Sequence, residues 1–62
     1  MIIRRSEVME RLKNGEKLRE SGNTMEFKDG KACSAATEIY LREHGLVKIT
    51  GKVGRLTYSF KS

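Results

Sequence analysis

Glycine placement in the last third of this chain leaves little freedom in how that part folds. In Tyr40-Leu41-Arg42-Glu43-His44-Gly45-Leu46-Val47, a glycine separates a helical apolar pattern from an alternating one. Glycine suits the left-handed position that follows a helix end. Further on, Leu56, Tyr58 and Phe60 alternate with Arg55, Thr57, Ser59 and Lys61, the period of a half-buried strand. Between these segments, Gly51-Lys52-Val53-Gly54 supplies two residues that tolerate positive φ. The segment therefore reads as helix, strand, tight turn, strand. The apolar side of the hairpin should lie on the helices. Val47 and Ile49 are the expected inward residues of its first strand.

The first half carries weaker versions of the same signals. Val8, Met9 and Leu12 share a face at helical spacing, which predicts a helix over residues 7–14 capped by Ser6 and stopped by Gly15. Met25 and Phe27 alternate with Glu26 and Lys28, as in a half-buried strand. Residues 17–20 either pair with that strand or prolong the helical part. Ser21-Gly22-Asn23 and Asp29-Gly30 carry turn chemistry. Ser34 is the expected cap of a second helix running to about His44. The predicted order is α-ββ-α-ββ, an α+β fold.

With 62 residues the chain is expected to form one domain, residues 1–62. A domain of this size buries only about 60% of its unfolded surface, leaving little room for a catalytic cavity besides a core. No internal sequence repeat or low-complexity run is evident, and no apolar run is long enough to span a membrane. Arg4 and Arg5 are not followed by the apolar stretch of a signal peptide. Cys33 is the one cysteine, so no intrachain disulfide can form, and with His44 it cannot make a four-ligand zinc site. A reducing, cytoplasmic location is expected. No phosphate-binding glycine loop, paired carboxylate motif or metal-ligand cluster is present, so neither an enzyme nor a cofactor is expected. Cys33 and His44 would stand about three helical turns apart, too far for a nucleophile and its base. The net charge of +5 suits a polyanionic partner, nucleic acid first.

The order helix, Gly45, strand, Gly-flanked turn, strand over residues 34–60 resembles the end of a winged-helix DNA-binding domain: recognition helix, strand, wing, strand. The chain looks like a compact winged-helix variant with a hairpin in place of the middle helix and a C-terminal wing hairpin. The resemblance implies a small regulator of bacterial or phage type that binds double-stranded DNA. It places the second helix in the major groove, with Lys31, Ala35, Glu38, Ile39 and Arg42 exposed and Lys31 and Arg42 as contacts. It places the wing cations Lys52 and Arg55 on phosphates or in the minor groove, with Lys48 and Lys61 on the polar side of the flanking strands.

Other readings of these residues carry weight. Lys and Arg on an exposed hairpin also maintain solubility and protect an edge strand. Arg4, Arg5, Arg11 and Lys13 around the first helix read as ordinary surface charge. Tyr40, Tyr58 and Phe60 read as core residues rather than base-stacking platforms. Ile39 falls on a polar helix face, where an apolar residue can mark a partner surface. The alternative function is thus a protein-binding module of the same fold, such as a phage-encoded inhibitor of a host enzyme. Ile39 would then be the contact, and symmetric dimerisation is open to such a chain.

Overall fold

A computed structural model describes residues 1–61. Its elements in chain order are α1 (Arg5–Lys13), β1 (Leu18–Ser21), β2 (Thr24–Glu26), β3 (Ala32–Cys33), α2 (Ala35–Glu43), β4 (Val47–Thr50) and β5 (Thr57–Phe60). The five strands form one sheet in the order β3-β2-β1-β5-β4, every neighbouring pair antiparallel. The fold is α+β, as expected. The chain between the helices holds one strand more than α-ββ-α-ββ allows.

Helix α1 begins earlier than the capping pattern predicts. Arg4, with extended backbone and no side-chain cap bond, precedes the first turn, and the Val8 N–H donates to the Arg4 carbonyl at 3.0 Å. Ser6 is therefore inside the helix and is not its cap. Val8 and Leu12, one turn apart, are both buried. Helix α2 matches its prediction: Ser34 Oγ accepts from the Thr37 N–H at 3.2 Å, and Thr37 and Leu41 are the buried pair. Its outer residues fall less simply. Ala36 is exposed, although helical spacing puts it on the side of Tyr40 and Leu41. Glu38, expected outside, is half-buried.

Residues 16–28 form a hairpin, not a helical extension. Ser21 pairs with Thr24 across Gly22-Asn23, and Gly22 has φ +60. A two-residue loop with glycine first matches the right-handed twist of the strands it joins. The added strand β3 pairs Cys33 with Met25 and Ala32 with Glu26. Its far side is held by the start of the chain: the Ala32 N–H donates to the Met1 carbonyl at 2.7 Å, and the Ile3 N–H to the Ala32 carbonyl at 2.9 Å.

Sheet register sorts the side chains into two faces, since directly paired residues point the same way. Ile49, Tyr58 and Leu18 form one row across the helix side, and Glu20, Met25 and Cys33 the next. Both helices cover this side. Val8, Leu12 and Leu41 join Leu18, Met25, Phe27, Cys33, Val47 and Tyr58 in one core, with Leu56 and Phe60 packed against it. Ile49 departs from its prediction. It lies on the helix side but is 46% exposed, because β4 is the sheet edge and the core closes at Val47. Tyr40 is also not a core residue. It is half-buried between the Arg5 guanidinium, 4.2 Å from its ring centre, and the stacked His44 ring at 4.2 Å.

Although the sequence shows no repeat, the order helix–strand–strand occurs twice. A shift of two strands along the sheet carries β2 to β5 and β1 to β4 with directions preserved. Buried positions correspond: Val8 and Leu12 with Thr37 and Leu41, Leu18 with Val47, Met25 with Tyr58.

The β4–β5 loop depends on one glycine more than on the other. Gly51 and Gly54 both have positive φ, +94 and +93. A Cβ on Gly51 would collide with the Arg55 backbone carbonyl oxygen, whereas one on Gly54 meets open space. Gly54→Ala is expected to cost about 1 kcal/mol, the usual left-handed penalty. Gly51→Ala should cost clearly more and displace the loop. Thermal melts and amide shifts of residues 50–57 check this; equal melts would refute it.

Candidate functional site

The face of the sheet turned away from the helices is where the cations gather. One row crosses it: Thr50, Thr57, Arg19, Glu26 and Ala32 are successive register partners. Beside that row, Lys48 pairs with Ser59. The Lys61 N–H continues the ladder to the Leu46 carbonyl at 2.9 Å, which places Lys61 diagonal to Lys48. Lys17, Arg19, Thr50, Arg55 and Thr57, with Glu20 among them, line a shallow hollow at the loop end of this face. Lys17, Arg19 and Lys28, with Glu16, line an adjoining hollow. Lys17, Arg19, Lys28, Lys48, Lys52, Arg55 and Lys61 are all exposed.

Their charges are uncommitted. Among the described residues, ion pairs involve only Arg11 and Arg42. Arg11 draws in Glu7 at 3.5 Å, Glu16 at 3.5 Å and Asp29 at 3.0 Å. The Asp29 carboxyl is held below its ordinary range, first by the Lys31 backbone N–H and then by Arg11. Arg11 thus gathers three acids, of which Glu16 also borders the hollow lined by Lys17, Arg19 and Lys28. On the helix side, Glu38 accepts from the Tyr58 hydroxyl at 3.1 Å and faces Arg42 at 3.8 Å. Burial, followed by this bond to Glu38, pushes the Tyr58 phenol up. Glu20 accepts from the Leu56 N–H at 3.1 Å. Glu26 points to the outer face by register, beside the cations that Glu16 and Glu20 also border, and it accepts from Thr24 Oγ1 at 3.3 Å.

The structure unites half of the predicted contacts and separates the rest. Lys48, Arg55 and Lys61 meet on the outer face, and Lys52 stands on the loop at its end. Lys31 does not belong to α2. It lies in the turn before β3, with its N–H 3.2 Å from the Asp29 carboxylate, and cannot act as a helix contact. Arg42 is on α2 and exposed, but it faces Glu38 and shares a hollow with Ile39, Glu43 and Ile49 on the opposite side of the molecule. Ile39 is 50% exposed, as its position predicts. Arg19 was missed by sequence reasoning. Its alternation with Leu18 gives its face, but only the β1–β5 pairing brings it beside Arg55. Cys33 is buried and burial pushes its thiol up, which suits a core residue.

No family model matches the chain, and no curated protein or solved structure shows significant similarity to it.

A lowered carboxyl pKa in the folded state makes a contribution to stability that is present above the unfolded value, near 3.9, and is lost as pH falls through the folded value. Asp29→Asn is expected to be destabilising at neutral pH and to flatten the loss of stability below about pH 4. Urea midpoints from pH 2 to 7 check this. Parallel curves for the variant and the wild type would show that Asp29 contributes nothing.

Proposed function

We propose that this chain is a small DNA-binding protein whose sheet face and β4–β5 loop grip the sugar–phosphate backbone. The observation that carries the reading is Arg19, Lys48, Arg55 and Lys61 on an uncovered sheet face, without an ion pair among the described residues. Cations free of ion pairs on one face neutralise phosphates and release the counterions condensed on them. Threonine and serine hydroxyls between them (Thr50, Thr57, Ser59) add phosphate hydrogen bonds.

The winged-helix-like reading is supported by the order α2, β4, loop, β5 and by the cations of that loop. The helix half of the reading has less behind it. Exposed α2 residues include Ala35, Ala36 and Ile39, and its arginine is turned to Glu38. Phosphate contacts carry no sequence information, so binding here is of low sequence selectivity. Lys52 and Arg55 act on the backbone, and Arg42 contributes little.

Fluorescence anisotropy with a labelled duplex across a salt series tests this. The plot of log affinity against log salt should be steep, and Lys48→Ala/Arg55→Ala should flatten it by about two. Ile39→Asp should leave it unchanged. Absence of binding at low salt would overturn the proposal. So would a larger loss from Arg42→Ala than from Arg55→Ala.

A further inference from the structure

The two edges of the sheet differ. At β3 the backbone is engaged by Met1 and Ile3, and Ile2 forms a parallel bridge to Ala32. At β4 nothing follows: the strand order ends there among the described residues. Since Leu46 and Lys61 are a bonded pair, alternation along the ladder turns the peptide groups of Val47 and Ile49 away from β5. An edge with unpaired peptide groups is a template for another strand. Charge, proline, bulges or coverage usually blunt such an edge. Here no proline occurs; the one charge on β4, Lys48, stands on the outer face, and on the helix side an isoleucine stands exposed. Ile49 and Ile39, at 46% and 50% exposure, share one hollow with Arg42 and Glu43.

We infer that β4 pairs with β4 of a second copy, antiparallel across a twofold axis at Ile49. This occupant is favoured by the charge of the hollow. A patch with both an arginine and a glutamate suits neither a strongly acidic nor a strongly basic segment, but it complements itself. A twofold can bring Arg42 against the partner's Glu43 and the reverse. The register follows from the same residues. Centring on Ile49 sets it against the partner's Ile49 on the helix side. On the outer side it sets Lys48 against the partner's Thr50. Centring on Lys48 would instead oppose two lysines, which is unfavourable.

The molecule is 24 Å across. An edge pairing therefore buries less than the roughly 800 Å² per partner of a standard interface, and the dimer is weak. It does not depend on DNA binding, and either property can fail alone. The dimer would join two basic faces into one continuous surface.

Disulfide trapping reads the register directly, because a bonded antiparallel pair has Cα atoms about 5.5 Å apart, within disulfide reach. In a Cys33→Ser background without DNA, Ile49→Cys should cross-link to itself at least about tenfold faster than Val53→Cys, which is 95% exposed on the loop. Sedimentation of the wild type should show mass rising toward a dimer near the millimolar range, and Ile49→Lys should abolish the rise. Equal cross-linking rates, or a monomer at every concentration, would overturn the inference. Protection of the Val47 and Ile49 amides by an added unrelated extended peptide, with none in concentrated protein alone, would assign the edge to a foreign strand and overturn it too.

Discussion

The pairing of Leu18 with Tyr58 is the contact on which the rest of the molecule depends. It joins β1 of the first helix–strand–strand unit to β5 of the second. Tyr58 is 1% exposed, and α1 packs against its strand. A buried phenol must keep its hydrogen bond, and Glu38 of α2 provides the acceptor. One residue therefore fixes the sheet seam, the depth of the core and the rotation of α2. That rotation turns Glu38 inward and leaves Ile39 facing out.

The same seam creates the basic face. Neither half of the chain is strongly basic on one side alone. When β1 lies beside β5, Arg19 arrives next to Thr57 and Arg55, and the lysines of β4 and of the C-terminal strand extend the field. Several acids are engaged: Arg11 pairs with three, Glu38 takes the Tyr58 hydroxyl and Glu20 the Leu56 N–H, while Glu16, Glu20 and Glu26 border the cations. Seven of the thirteen basic residues thereby border one face of the sheet.

Local rules carried the sequence reading some distance. Glycines after both helices, the Ser34 cap, the Gly22-Asn23 turn and the alternation of Leu56, Tyr58 and Phe60 each depend on neighbours in sequence, and each appears in the fold. Ser6 failed as a cap because Arg4, extended before it, lets the helix start sooner. Ile49 and Val47 look alike by alternation, and only sheet order reveals that the core ends between them. Strand β3 has two residues, too few for periodicity, and is held by pairing with β2 on one side and by backbone bonds to Met1 and Ile3 on the other. Arg19 joins the basic face only through the pairing of β1 with β5, which no local pattern encodes; Lys31 stands off α2 because it precedes the Ser34 cap, a local signal that already excluded it from the helix.

The two units share one strand boundary, and the residues that form it, Leu18 and Tyr58, are far apart in sequence. Each hairpin can close from residues a few positions apart. The seam requires a loop of about forty residues to close first, an entropic cost that grows slowly with length but comes before any reward. Folding should thus be limited by one encounter between two preformed hairpins. Weakening that seam would release two αββ pieces, each with half a core.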